Sequence, residues 1–428
     1  TICEKYMISL IDKFNQVSML DMPGSIAKIY KDVPEINEID NRGFPICRPL
    51  FSHSSLPFNF ELEQVDVNKY DGGEFVYCVY VHHNQKLWVE HIDLIPKKVL
   101  DLVRNGKGYL LFDNTLEGNR IDDEWFITPF YKNIEKLNLP FNKIVFVTNN
   151  LIGEETHNSW FESQNHYKDK IKLISFMWNV HDVRRLIETD NLPNHVNIKD
   201  EIKYKTDKPI KHFLKINRTN RPERNLFMLF MNHHNLFEKS LISFPSFPDE
   251  DYPTMFDRYT TNENISDLRT KVPFDIDHTD TDNHGPAGHG KGFFDADLPF
   301  QPIHYKNSFI SVIMAAFPFE PNAHHLHSST FNPMYCGHPI IQFGPYQSLK
   351  VMRDYGFKTF DKWWDESYDE EHDNWKRLMK VMNLTLEISK KTPNDLLSMY
   401  KDMEDVLQHN VDLISNYDIK KKLFDRIF

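Results

Sequence analysis

The chain has 428 residues, 40% of them apolar and 14% aromatic, with a formal net charge of −12. That length is too great for one compact core and predicts two or three domains, while the apolar content excludes wholesale disorder. The acidic balance argues against non-specific attraction to nucleic acid or anionic membranes, yet it leaves room for a local basic pocket.

No apolar run approaches the ~20 residues of a membrane-spanning helix, and the opening residues show no signal-peptide pattern. A cytoplasmic protein without a membrane partner is expected. Cys3, Cys47, Cys78 and Cys336 lack CxxC spacing and read as reduced, buried thiols.

The first seventy residues show turn signals at "DMPGS" and "NRGFP" but no sustained period. After them "EFVYCVYVH" (74–82) predicts a strand by its β-branched and aromatic content. "PKKVLDLVRNG" (96–106) predicts a short helix with Val99, Leu100 and Val103 on one face and Gly106 ending it. "YLLFD" (109–113) follows as a strand, and a helix over 122–137 carries Phe126, Phe130, Ile134 and Leu137 at helical spacing. "KIVFVT" (143–148) and "KLISFM" (172–177) are apolar runs suited to a parallel sheet covered on both faces. This alternation indicates a doubly wound α/β domain.

The polar stretch 194–211 reads as a linker. A second alternation follows it: strand 212–217, helix 221–233, strand 308–314, helix 330–336, strand 339–343 and helix 346–354. Two polar-faced helices, 367–391 and 394–414, finish the pattern, with Pro393 at a helix start. The predicted fold class is α/β, two Rossmann-like units in series with a C-terminal helical extension. The expected domains are 1–200, 201–395 and 396–428, the last helices returning toward the first domain. A ligand is expected in a cleft at the carboxyl ends of the strands.

The stretch "FLKINRTNRPERNLFMLF" (213–230) gathers three arginines in an acidic chain. Asn217 and Arg218 end a predicted strand, and Arg221 and Arg224 open the helix behind it. Positive side chains oppose the helix dipole at that end, so an anionic guest such as phosphate explains them, with Arg224 expected to be an exposed charge. The alternative is a surface cluster paired with Glu223, Asp249 and Glu250. No GxGxxG or GxxxxGK[ST] occurs, which removes dinucleotide and P-loop readings.

These residues, with "FEKSLISF" after them, resemble the second domain of a family of virus- and phage-encoded glycosyltransferases. They resemble more distantly the fucosyltransferase-like enzymes of the GT-B class. The segment 328–369, "SSTFNPMYCGHPIIQFGPYQSLKVMRDYGFKTFDKWWDESYD", agrees through its strand, its Gly-Pro turn and its "GFKTF…DESYD" tail. The resemblance implies a GT-B-like fold, a viral protein of the host-cell cytoplasm, and a nucleotide-sugar substrate with no cofactor. It implies a donor pocket that includes His327, Gly344 and Pro345. Where the family places Glu-Lys, this chain has Ser328-Ser329.

Within that reading, Asn217, Arg218, Arg221, Arg224, Ser328, Ser329 and Thr330 are the candidate donor-phosphate ligands. Ser328, Ser329 and Thr330 are read as capping a helix whose N-terminus stays open to a pyrophosphate, after His324, His325 and His327. In "DNTLEG" (113–118), Asp113 and Glu117 follow a strand, and Glu117 is the candidate base for the acceptor hydroxyl. The other reading is a polar loop. The acceptor is a glycan, a protein or a modified DNA base.

The His/Asp/Gly-rich stretch 274–300 matches no EF-hand or HExxH spacing and reads as a lid, so no metal is assigned. Asp365, Glu366 and Asp369 read as helix-start residues and Trp363 and Trp364 as core. Two alternatives stay open: a catalytically silent glycan- or nucleotide-binding protein on the same scaffold, and a metal-dependent hydrolase built on 275–295.

Overall fold

The computed structural model describes residues 9–11, 75–80, 92–95, 97–115, 118–180, 183, 195–217, 220–245, 247, 251–274, 302–315, 318–320, 322–418, 422–423 and 426. Two compact units divide the chain. Unit 1 holds 1–178, 320–325 and 418–428, and unit 2 holds 179–319 and 326–417.

Unit 1 contains β1 (Ser9–Ile11), β2 (Phe75–Tyr80), α1 (Lys97–Arg104), β3 (Gly108–Asn114), α2 (Thr128–Lys136), β4 (Ile144–Thr148), α3 (Gly153–Ser163) and β5 (Lys172–Ser175). Its sheet runs β1-β2-β3-β4-β5, all parallel, with Leu110 opposite Ile144 and Asn114 opposite Thr148. The strand β1 lies in the stretch where no period was legible.

Alternate residues Phe75, Tyr77, Leu110, Phe112, Ile144 and Phe146 point to one face. There they bury against Val99 and Val103 of α1 and Phe130 and Ile134 of α2. Phe112 and Phe130 meet edge to face at 5.1 Å, and Phe126 and Phe146 lie 4.6 Å apart. Removing one such ring from water contributes about 2–3 kcal/mol. Val76, Leu111, Val145 and Val147 on the opposite face are also buried, as a doubly covered parallel sheet requires. Gly106 ends α1 with φ +72°, a left-handed conformation that glycine adopts without steric penalty.

Unit 2 contains α4 (Ile198–Asp207), β6 (Lys211–Ile216), α5 (Pro222–His233), β7 (Ser240–Ser243), α6 (Asn262–Lys271), α7 (Pro302–Lys306), β8 (Ser308–Met314), α8 (Ser328–Tyr335), β9 (Ile340–Phe343), α9 (Ser348–Asp354), α10 (Asn374–Ser389), α11 (Pro393–Asp402) and α12 (Glu404–Ser415). The segment read as a linker is therefore largely the helix α4, which packs on α11 and α12. Its buried residues are Ile198, Glu201 and Lys205, so only one of three is apolar and no stripe was visible. Pro393 opens α11 as expected, behind a capping box between Thr392 and Asp395. The expected return of the last helices bears on this division. Residues through Tyr417 group with unit 2, and those from Asp418 group with unit 1.

The sheet of unit 2 runs β7-β6-β8-β9, all parallel. The chain goes from β6 outward to β7, then crosses back past β6 to β8. Strand order therefore reverses between β6 and β8, and in open α/β sheets ligands bind outside the carboxyl ends at such a switch point. Unit 1 shows no reversal among its described strands, so only unit 2 has the doubly wound order. Among the described residues no helix is long and apolar enough to cross a membrane.

Candidate functional site

The carboxyl ends of β6 and β8 carry an unusual set of buried polar side chains. On β6, Phe213, Lys215 and Asn217 alternate onto one face, and both Lys215 and Asn217 are buried. The Asn217 amide extends the ladder by donating to Ser243 O at 2.8 Å. Lys215 Nζ donates to Asn217 Oδ1 at 2.7 Å and lies 5.6 Å from the Phe227 ring centre. The Asn217 Nδ2 is buried and has no hydrogen-bond partner among the described residues.

Behind this strand end α5 begins. Arg221 is its N-cap, in extended backbone, and supplies no side-chain cap; Pro222 follows at the first helical position. Glu223 is buried, and Arg224 is 12% exposed with its Nε 4.0 Å from Glu223 Oε1. The Arg224 Nη2 reaches across the switch point and donates to Met314 O, the last residue of β8, at 3.3 Å. Arg224 is thus mostly buried, not the exposed charge expected.

Burial raises the Glu223 carboxyl above the usual range, and the neighbouring Arg224, Arg221 and Lys215 oppose that rise. Burial lowers Arg224 to about 10, with Arg221 adding to the shift, so the guanidinium stays charged at neutral pH. Burial and Arg224 hold Lys215 well below the ordinary lysine range. Three basic side chains gather around the Glu223 carboxylate here. Concentrated positive charge of this kind favours an anion.

Arg218, Asp249 and Glu250 lie outside the described residues, as do Glu117 and the stretch 275–295. Among the described residues no group of three or more His, Cys, Asp or Glu side chains could hold a metal ion. Cys336 is a free, buried thiol whose pKa burial pushes up.

At α8 the capping differs from expectation. His327 itself is the N-cap: its Nδ1 accepts from the Ser329 amide at 3.4 Å and contacts Ser328 Oγ at 3.0 Å. Thr330 turns inward, donating to Gln342 Oε1 at 2.8 Å. Ser329 alone of the three is exposed. This helix start is closed in part by its own residues.

Gly344 and Pro345 are buried at the carboxyl end of β9. Gly344 O accepts from Arg377 Nε at 2.9 Å, and a Cβ on Gly344 would stand 2.5 Å from Ser348 Oγ. The helix that follows the Gly-Pro turn is capped by Asp369, which accepts the Leu349 and Lys350 amides. Asp369 therefore serves a helix earlier in the chain, not one it begins. Asp365 accepts from the Ser367 amide, and Glu366 from the Phe360 amide and from Arg353. Trp364 is buried, whereas Trp363 sits nearer the surface and donates to Asp402.

In unit 1, Asp113 is buried near the end of β3, its Oδ1 accepting from both the Thr115 amide and hydroxyl at 3.0 and 2.7 Å. It closes the turn after the strand. Asn150 next to β4 organises this edge. Its Nδ2 donates to Asn119 O and Asn322 O, and its Oδ1 accepts from the Ile152 and His324 amides. Leu151 N donates to His324 O, so residues 322–325 are pinned to unit 1 through their backbone.

A scan of protein-family models finds no match, and no curated protein matches the chain. Solved structures do. One is an α,α-trehalose-phosphate synthase (UDP-forming) from Burkholderia vietnamiensis, 7% identical over 83% of this chain and 72% of that one, with a TM-score of 0.37. Another is the DNA-modifying enzyme β-glucosyltransferase, solved with and without uridine diphosphoglucose. It is 12% identical over 94% and 100% of the two chains, with a TM-score of 0.32. An E. coli trehalose-6-phosphate protein bound with UDP-2-fluoro glucose is 9% identical over 97% and 99%, with a TM-score of 0.36. Scores of that size assign no family. The α/β class rests on the two parallel sheets themselves.

Of the expected site residues, the structure gathers Asn217, Arg221 and Arg224 at the switch point. His327, Ser328, Ser329 and Thr330 stand at the start of α8, and Gly344 and Pro345 at the end of β9. Asp113 belongs to unit 1. Sequence reading missed Lys215 and Gln342. A lone lysine in an alternating strand reads as solvent-facing, and only the neighbouring β7 and β8 bury it.

Proposed function

We propose that the chain transfers a glycosyl group from a nucleotide-sugar donor to a hydroxyl acceptor. The observation that carries this reading is the concentration of Lys215, Arg221 and Arg224 around Asn217 and Glu223 at a topological switch point. A diphosphate complements that basic cluster, and guanidiniums match phosphate oxygens in a bidentate manner. As the bond from the anomeric carbon to the diphosphate oxygen breaks, these donors take up the developing charge, and the acceptor oxygen forms the new bond. The reading assigns that charge to guanidiniums and amides, with Arg218 as a further contributor, and calls for neither metal nor cofactor.

The finer assignments belong to the same proposal. The acceptor is the hydroxyl of a glycan, a protein or a modified nucleobase. Its proton goes to a carboxylate after β3, Glu117 in preference to Asp113, because Asp113 already holds its own turn. The resemblance of 213–230 and 328–369 to the virus- and phage-encoded family supports a host-cell cytoplasmic location.

One observation favours a second reading, binding without turnover: Ser328-Ser329 stands where that family has Glu-Lys. Calorimetric titration with nucleoside diphosphates and nucleotide-sugars, followed by an assay of nucleoside-diphosphate release, separates the two. Binding with release supports transfer, and binding without release over a range of acceptors supports the second reading. Absence of binding to any of these ligands removes both.

A further inference from the structure

The Lys215–Asn217 contact fixes something that a carboxamide alone leaves undetermined. Oxygen and nitrogen of an asparagine side chain are nearly isosteric, so either can face a ligand. A lysine amine beside one of them decides the matter. Lys215 Nζ stands 2.7 Å from Oδ1, to which it donates, and in its ammonium form, which has no acceptor, it admits no other arrangement. Nδ2, with two hydrogens to donate, is then held on the other side. Asn217 lies one residue beyond β6, at the crevice where strand order reverses, and its Nδ2 has no partner among the described residues.

Lys215 itself has no other described hydrogen bond. It sits in the interior of a strand flanked on both sides, where an apolar side chain of equal length would pack without the penalty of burying an amine. Its neighbours are the Phe227 ring, Glu223 and Arg224, all on α5, and Ile242 in register on β7. None of these needs a lysine: Glu223 already has Arg224 beside it.

We propose that Lys215 is a positioning residue for anion binding, locking the Asn217 carboxamide so that its Nδ2 donates to a phosphate oxygen of the ligand. The assignment rests on the nucleotide-sugar reading above and adds a residue that does not itself touch the ligand. Burial and Arg224 disfavour the ammonium form of Lys215, while Glu223 favours it. An anion arriving at Asn217 shifts that balance toward the ammonium, so ligand binding draws a proton onto Lys215.

The test is isothermal titration of the full chain with UDP, run in two buffers of different ionisation heat to count protons taken up. Wild type is compared with Lys215→Met, Asn217→Asp and Arg224→Ala, each with a melting curve. Lys215→Met is expected to weaken UDP binding about tenfold, to abolish the proton uptake and to leave the melting temperature unchanged or higher. A merely structural lysine would lower the melting temperature and leave proton uptake alone. Wild-type affinity or wild-type proton uptake in Lys215→Met overturns the assignment. If that variant does not fold, Asn217→Asp decides: it keeps a partner for Lys215 but presents no donor, so retained UDP affinity overturns the assignment. Loss of binding in Arg224→Ala with none in Lys215→Met removes only the role of Lys215. A wild type that does not bind UDP removes the nucleotide-sugar reading and this assignment with it.

Discussion

Asp369 takes the Leu349 amide on both of its carboxylate oxygens, at 3.0 Å each, from twenty residues farther along the chain. The Lys350 amide and Ser348 hydroxyl complete the set at 3.1 Å each. The start of α9 is thus closed by a buried carboxylate from the "DESYD" tail, which ties that tail to the Gly-Pro turn. Asp369→Ala is expected to cost about 1–2 kcal/mol, the value of a lost N-cap. Urea unfolding of the full chain measures it, and an unchanged midpoint would show that water replaces the cap.

Among the described residues Arg377 is the largest fully buried side chain. Its guanidinium donates to the carbonyls of Gly344, Glu371 and Pro318 and to Asn374 Oδ1, joining the end of β9 to the loop after β8. Arg377→Ala leaves three carbonyls without their donor and opens a cavity. A loss of about 3 kcal/mol or more is expected in chemical denaturation. Arg377→Lys should recover only part of it, since an ammonium cannot reach three directions in a plane.

His157 gives unit 1 a pH dependence. It is buried, and its Nε2 meets the Tyr131 hydroxyl at 2.8 Å. Burial, with Lys170 adding to it, lowers the imidazole from 6.5 to about 4. The unfolded chain therefore binds a proton below pH 6.5 that the folded chain refuses until about pH 4. Stability is fully present above pH 6.5 and declines as the pH falls to about 4, by up to about 3 kcal/mol from this group. Unfolding free energies at pH 7 and pH 4.5 should differ less in His157→Phe than in the wild type; equal differences would exclude the histidine.

The two arginines of α5 should separate binding from folding. Arg224→Ala removes a donor from Met314 O and the counter-charge of buried Glu223. A stability loss of about 1–2 kcal/mol should therefore accompany a ten- to about a hundredfold weaker nucleoside-diphosphate affinity. Arg221, at the N-cap and half-buried, should lose affinity on substitution by alanine with little change in melting temperature. A fall in stability for Arg221→Ala equal to that for Arg224→Ala would favour an ion-pair network over an anion site.

Gly118 lies against His325, where any Cβ would overlap the histidine Cβ. Gly118→Ala should displace residues 322–325 from their backbone partners and cost about 1–3 kcal/mol. Limited proteolysis near 320–326 should quicken in the variant. Unchanged cleavage would mean that the backbone bonds alone hold the segment.

The strands of both sheets were legible because buried parallel strands are short runs of Val, Ile, Leu and Phe. Two escaped: β7, its "SLIS" being half serine, and β1, only three residues long. Helix α4 escaped because its buried face is built from Glu201 and Lys205, whose burial depends on partners distant in sequence, such as the carbonyls of Tyr305 and Lys306 that accept from Lys205 Nζ. The arginine junction was legible as a charge anomaly. Its depth was not: exposure of Arg224 is decided by Met314, ninety residues away. Long-range capping of the kind Asp369 performs leaves no local mark at all.

The division of the chain has a consequence for how the protein is made. The backbone passes between the two units at 178/179, 319/320, 325/326 and 417/418. Unit 1 therefore receives pieces from three separate stretches. One of them brings the buried Leu423 and Arg426, whose guanidinium grips both oxygens of Glu154 at 2.6 Å. During synthesis, unit 1 stays incomplete while all of unit 2 is translated, and it closes only when residues 418–428 leave the ribosome. A single cut at 178/179 would leave unit 2 whole on one fragment and part unit 1 from residues 320–325 and 418–428.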